Sequence, residues 1–264
     1  ATPIETRLFR STRTTLRRSK ELGLITETIP QRKVKHPEIE LGDEASELYD
    51  RIEDYIQTVY RKADELEHGE RNALGFVMTT YRQRLTSSFH AISESLLRRK
   101  EALEADIQLS EQDTQAIEAH AVGGEDEELE DEDQLRNDVG DDIDSYTPTS
   151  SPAAQKLKRE ELEELEDFIY ALRNHPPDPK LLQLGDDLRE LERDARDSVI
   201  VFTQYEDTIN AIKDSVAGVG RERAVGTYTG DGGSVYDPQS PDAVDGWVRT
   251  SKEVVKSRFK KKDD

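Results

Sequence analysis

Along most of this 264-residue chain the apolar residues recur at every third or fourth position, the period of a helix with one buried face. Leu48, Ile52, Ile56, Val59, Ala63 and Leu66 form one such stripe and predict a helix starting near Ala45. After a break at Gly69, Leu74, Val77, Tyr81, Leu85, Phe89, Ile92 and Leu96 predict a second helix, whose pattern runs on through Leu103 and Ile107 to about Ala119. A helix of that length exceeds the core of a small domain, so a brace or antiparallel hairpin projecting from a larger body is expected. Farther on, Leu162, Leu165, Ile169 and Leu172 share their spacing with Leu181, Leu184, Leu188 and Leu191, and the breaker H-P-P-D-P separates the two groups. They predict a helical hairpin. Coiled-coil dimerisation is the alternative, but about two heptads per helix is short for it, so packing within one all-helical module is favoured.

Two stretches depart from the helical period. Val34 to Leu41 alternates enough for a short strand, closed by Gly42 and Asp43. Val199, Ile200, Val201 and Phe202 are consecutive and β-branched or aromatic, as in a strand buried on both faces of a parallel sheet, and Ile209, Ile212 and Val216 then return to helical spacing. Asp197 to Val216 is therefore expected to be a β-α unit, with Ala224 to Tyr228 as a second strand and Val248 to Phe259 as a later helix. The fold class expected is mostly α with a partial α/β unit. A doubly wound domain needs about five or six strands, more than residues 197–264 accommodate, and the chain opens on Ala1 directly into a helical pattern. The expectation is a piece of something longer.

Composition changes the picture in one respect. Only 33% of residues are hydrophobic and 36% are charged, so part of the chain must stay solvated. Val122 to Pro152, dominated by Asp and Glu with a single Arg, is the expected segment; a solvated linker or insertion is the plain reading, and a DNA mimic or a tail for a basic partner the sharper one. The net charge of -21 and pI near 4.7 average over unlike regions, because Ala1 to His36 holds nine Lys or Arg against three Glu. Within it, Arg7, Arg10, Arg13 and Arg17 line one face of a helix predicted from Thr6 to Leu22 and ended by Gly23, giving either a solvated face or an edge that contacts phosphate. The general excess of acids, with Arg favoured over Lys, fits a proteome adapted to high salt as well as an ordinary acidic protein.

The chain has no cysteine, which excludes disulfides, thiolate chemistry and Cys-based zinc sites. No apolar stretch approaches the ~20 residues that cross a bilayer and no signal-peptide pattern is present, so a cytoplasmic location is expected. The phosphate-cradling loop G-x-x-x-x-G-K-[ST] occurs nowhere, nor does G-x-S-x-G, and His36, His68, His90, His120 and His175 are too scattered to suggest a metal site. No complete active site can be read from the residues.

The order of several short motifs is more telling. L-F-R-S-T-R (Leu8 to Arg13) followed by I-P-Q-R (Ile29 to Arg32) resembles the end of the first motor lobe in Swi/Snf-related superfamily-two DNA translocases, especially the branch of the bacterial RNA-polymerase-associated ATPase. Y-R-Q-R-L-T-S-S-F-H-A-I-S-E-S-L-L-R-R (Tyr81 to Arg99) is similar to an inter-lobe helix of that branch. V-I-V-F-T-Q-Y-E-D-T (Val199 to Thr208) looks like motif IV, the first strand and turn of the second RecA-like lobe. Y-T-G (Tyr228 to Gly230) falls where that lobe's second strand ends in a turn, and W-V-R-T-S-K-E-V-V-K-S-R-F-K (Trp247 to Lys260) resembles the helix before motif V.

The resemblance implies an internal segment of a helicase-like motor. Residues 1–43 would end the first RecA-like lobe, 44–121 form a helical brace, 122–152 an acidic disordered insertion, 153–196 a helical hairpin, and 197–264 an incomplete helicase C-terminal lobe. ATP and magnesium are implied for the parent motor, whose ATP loop and D-E-x-H acids would precede Ala1 and whose motifs V and VI would follow Asp264, so the chain alone is expected to be inactive. Implied partners are double-stranded DNA, the flanking lobes and a protein complex remodelled on DNA. Thr203, Gln204, Tyr205, Thr229 and Gly230 become candidates for DNA-phosphate contacts, Arg82 and Arg84 for DNA contact or for anchoring the brace, and Arg10 and Arg13 for the nucleotide cleft or DNA. Local capping and surface ion pairing are the plain alternatives for these residues. An autonomous acidic helical interaction protein without catalytic activity is the competing class.

Overall fold

The computed structural model describes residues 12–26, 34–66, 68–105, 144, 146–147, 152–175, 177–193, 198–216 and 224–260. The chain falls into two units, a short N-terminal one ending at Glu38 and a larger one beginning at Ile39. In the first, helix α1 (Arg13–Glu21) is capped by the Thr12 hydroxyl, which accepts from the Thr15 amide at 3.1 Å. As expected Gly23 ends it, with φ of 71°, a conformation that costs a residue bearing a Cβ.

The second unit is built on α2 (Asp43–Lys62), a 3₁₀ turn (Ala63–Glu65), α3 (His68–Ser87), α4 (Phe89–Ala105) and α5 (Pro152–Asn174). Helix α5 lies along α4 and α2, while α3 packs on both α2 and α4. The stripes anticipated on these helices meet in one core of Leu48, Ile52, Ile56, Leu74, Val77 and Leu96, joined by Leu165 and Ile169 from α5. The long helix expected beyond Gly69 is interrupted. Ser88 separates α3 from α4, its hydroxyl accepting from the Ala91 amide at 3.0 Å, and the Asp178 carboxylate accepts from the Phe89 amide at 2.7 Å. Two polar groups thus cap a new helix where apolar periodicity alone predicts continuation. The pattern beyond Ala105 lies outside the described residues.

Helix α6 (Pro179–Arg193) packs on α7 (Glu206–Val216), whereas α5 is taken into the main core, so the two leucine stripes chiefly face different partners. No strand forms over Val34 to Leu41. Pro37 removes a backbone donor from its middle, which disfavours ladder pairing there. Inside the stretch expected to stay solvated, Asp144 and Tyr146 are instead buried, with Tyr146 in the core. The remainder of that tract is outside the described residues, apart from Thr147 and Pro152, where α5 begins.

The only sheet among the described residues is a three-stranded antiparallel meander of β1 (Gly226–Thr229), β2 (Gly232–Tyr236) and β3 (Trp247–Thr250), followed by α8 (Lys252–Lys260). The strand expected at Ala224 to Tyr228 is present two residues later, but it pairs antiparallel with β2 rather than with a strand at Val199. Tyr228-Thr229-Gly230 ends β1 in a hairpin turn, as the Y-T-G motif suggested. The helix expected from Val248 splits, because Trp247 to Thr250 pair with β2 and the Ser251 hydroxyl then accepts from the Val254 amide. Helix α8 lies so close to β2 that a Cβ at Gly233 would meet Val255 at 2.6 Å. The architecture is therefore mostly helical with a small antiparallel sheet. Among the described residues no helix is long and apolar enough to cross a membrane.

Candidate functional site

Two of the motif-bearing segments, Tyr81 to Arg99 and Val199 to Thr208, lie far apart in sequence and touch through several side chains. Tyr205 is buried, and its hydroxyl donates to Gln83 Oε1 at 2.8 Å while the Arg84 guanidinium carbon sits 5.6 Å from its ring centre. One turn on, Thr208 Oγ1 lies 2.9 Å from the Ser87 hydroxyl and 3.0 Å from that of Ser88. The break between α3 and α4 is therefore the seat of α7. Asp207 closes the contact by accepting from Arg98 at 2.9 Å.

Behind this contact runs a buried ionic chain. Asp144 Oδ2 accepts from Arg84 at 2.6 Å and from Arg98 at 2.7 Å, so a residue of the acidic tract ties α3 to α4 and, through Arg98, to the start of α7. Burial pushes the Asp144 carboxyl above its ordinary value, and the charges of Arg84 and Arg98 pull it back in part. Burial likewise pulls the Arg98 guanidinium down, but Asp144 and Asp207 outweigh it and hold the group above its usual range. On the next position of α4, Arg99 is fully enclosed; it donates to both oxygens of Glu161 at 2.8 and 3.0 Å and to the Tyr146 carbonyl. Glu161 also accepts from the Tyr55 hydroxyl at 2.8 Å. Arg84, Arg99, Asp144 and Glu161 therefore each have a counter-charge and hydrogen bonds, the condition for tolerating them in a core.

Beside the contact lies an open groove of about 500 Å³ between the C-terminal end of α3, the first turns of α6 and the segment from Phe202 to Ile212. Thr203, Gln204 and Tyr205 all line it, but they are unequal: Gln204 is exposed, Thr203 is half-buried, and Tyr205 has its hydroxyl committed to Gln83. Val199 to Phe202, expected to be a buried strand, is extended chain without strand pairing and is exposed, Phe202 by 88%. Its apolar side chains have no sheet on either side among the described residues; Ile200 and Phe202 are the most exposed of the four, whereas Val199 and Val201 are more than half covered.

The other candidate residues are dispersed. Thr229 and Gly230 occupy the β1–β2 turn, outside the groove lining, and the Gly230 carbonyl accepts from Lys252. Arg82 makes a two-point ion pair with Glu53 that fastens α3 to α2 at the surface. Arg84 is enclosed against Asp144 and Ser95, where it anchors the helix and presents nothing to a phosphate backbone. Arg13 opens α1 in the N-terminal unit, and Arg10 lies outside the described residues. Sequence reasoning missed Asp144, one acid among many in its tract, and Asp178, which sits in the breaker. Arg98 and Arg99 were within the quoted helix motif, but adjacency along a chain does not reveal which partner each will find.

The residues present do not fit the nucleotide implied by the resemblance. Among the described residues no group of three His, Asp or Glu side chains could hold a metal ion, and the sequence has no G-x-x-x-x-G-K-[ST] loop. No step through ATP or magnesium is derived.

No protein-family model, curated protein or solved structure matches the chain. Its own geometry carries the functional reading.

Proposed function

We propose that this chain is the inter-lobe segment of an ATP-dependent double-stranded-DNA translocase of the Swi/Snf-related kind, coupling a helical module to the start of a second RecA-like lobe. The observation that carries the reading is the interlock of Gln83, Ser87, Ser88 and Arg98 with Tyr205, Asp207 and Thr208. Two stretches singled out for resembling the same motor family bind each other through the very residues quoted in their motifs. In such a motor, alternate closure of two lobes moves the protein along DNA, so the joint must hold the second lobe's first turn firmly while leaving its DNA-facing side open. Here Tyr205 and Thr208 are fastened inward and Gln204 and Thr203 face the groove. The exposed run Val199 to Phe202 is, in this reading, the first strand of the lobe, which acquires burial when neighbouring strands of a complete lobe flank it.

The test is fluorescence anisotropy of the purified chain with labelled duplex DNA at low salt, combined with an ATPase assay. Salt-sensitive binding that weakens several-fold in the double variant Thr203→Val/Gln204→Ala is expected, without ATP hydrolysis by the chain alone. Absence of DNA binding would favour an autonomous acidic interaction protein, and ATP hydrolysis by the isolated chain would overturn the assignment of an incomplete motor.

A further inference from the structure

The groove beside Thr203 and Gln204 has a chemical character unlike the rest of the chain. Asp and Glu number 58 of 264 residues, yet none of the residues lining this groove is acidic. Its polar side comes from hydroxyl and amide groups, among them Thr86, Ser87, Thr203 and Gln204, and its single charged residue is Lys180. Such a lining repels an anion less than the average composition of this acidic chain would.

Lys180 is itself unusual. It is the second residue of α6, where the helix amides already favour negative charge, and it is half-buried with no carboxylate within ion-pair distance among the described residues. Burial lowers its ammonium pKa, and the charge of Asp178 offsets this only in part. That carboxylate caps the start of α6, its two oxygens accepting from the Phe89 amide at 2.7 Å and from the Lys180 amide at 2.8 Å. A partly desolvated cation with no ion-pair partner among the described residues, in a groove whose lining carries hydroxyls and no acid, is an arrangement completed by an anion.

We infer that Lys180 seats a phosphate of the DNA backbone against Thr203 and Gln204, so that the helical module, and not the second lobe alone, grips the strand. The inference rests on the DNA-binding reading above and adds to it a contact from α6. One phosphate held between α6 and the segment before α7 would make the grip depend on the packing of α6 on α7.

The experiment uses the full chain, labelled duplex DNA and the variants Lys180→Gln and Lys180→Arg, with a thermal melt as the folding control. Lys180→Gln is expected to melt like the parent, to bind duplex several-fold more weakly whatever the sequence, and to lower the slope of log affinity against log salt by about one. Lys180→Arg should restore most of the affinity. Amine-reactive labelling read by mass spectrometry should show Lys180 protected by duplex DNA at concentrations where inorganic phosphate gives no protection. If the parent chain binds duplex while Lys180→Gln matches it in affinity and slope, this inference fails and the DNA reading stands. Protection by inorganic phosphate but not by DNA would overturn the assignment to a backbone phosphate. A parent chain that binds no duplex at low salt overturns both readings together.

Discussion

Helix α4 and the run from Val199 to Phe202 are both apolar segments belonging to motif-bearing stretches, and they have opposite fates. On α4, Ile92 and Leu96 are wholly buried, and even Arg99 is taken out of water completely. In the run, Ile200 is 58% exposed and Phe202 88%, although its four consecutive apolar residues make a stronger hydrophobic signal than any four on α4. The difference lies in the partners. Helix α4 has α3 on one side and α5 on another, and the carboxylate of Glu161 arrives with α5 to neutralise Arg99, whereas among the described residues the run has no neighbouring strand to bury it. Burial is thus decided by what a segment can pair with; for a charged group the pairing must also be electrostatic.

The sharpest way to break the comparison is to remove the partner from the most deeply buried charge. Arg99→Ala leaves Glu161 buried and uncompensated beside Tyr55 and takes the donor from the Tyr146 carbonyl. A loss of about 3–5 kcal/mol in unfolding free energy is expected by urea denaturation. Arg99→Met combined with Glu161→Gln should recover much of that loss, because Gln carries no charge and still accepts from Tyr55. If the double variant is no more stable than Arg99→Ala, the loss comes from packing and hydrogen bonds to Tyr146 rather than from an orphaned charge.

How much was legible in the sequence follows from the same contrast. The core faces of α2, α3, α4 and α5 were visible because a helix fixes which side chains share a face, and Leu48, Ile52, Leu74, Val77, Leu96 and Leu165 are buried as their spacing implies. The break at Ser88 was not visible, since one of its caps, Asp178, comes from a distant breaker loop. The same holds for Asp144, which resembles every other acid of its tract until Arg84 and Arg98 are brought around it. For β1, a short strand was readable and its antiparallel partner was not, because a run of four residues such as Gly226 to Thr229 specifies pairing only through the hairpin turn that follows. In the candidate site, Thr203, Gln204 and Tyr205 were named together from their motif, but which of them turn inward depends on Gln83, over a hundred residues earlier.

A smaller effect probes the junction between the two regions. Thr208→Val keeps the shape of the side chain and removes the hydroxyl that joins Ser87 and Ser88. Because Ser88 retains the Ala91 amide as a donor and Ser87 is only half-buried, the cost should be moderate, about 1–2 kcal/mol. Hydrogen exchange sharpens the measurement: amides of α7 should lose protection more than amides of α2, which lies across the core from the change. Equal loss in both helices would mean that α7 unfolds only with the whole unit and that the hydroxyl cluster is no separate joint.

The smallest expected effect is at the other pole of the comparison. Phe202→Ala removes a large aromatic ring, a change that typically costs about 3–5 kcal/mol in a core. At 88% exposure the ring has little contact to lose, so the unfolding free energy of this chain should change by no more than about 0.5 kcal/mol. The same replacement should behave quite differently in a longer polypeptide that supplies strands on both sides of Val199 to Phe202, where the ring would be enclosed and its loss would leave a cavity. Near-neutrality here together with strong destabilisation there would place the run in an inter-strand core completed by the added strands. If the replacement destabilises the present chain by several kcal/mol, the ring is already buried in solution, and the contrast drawn between α4 and this run is wrong.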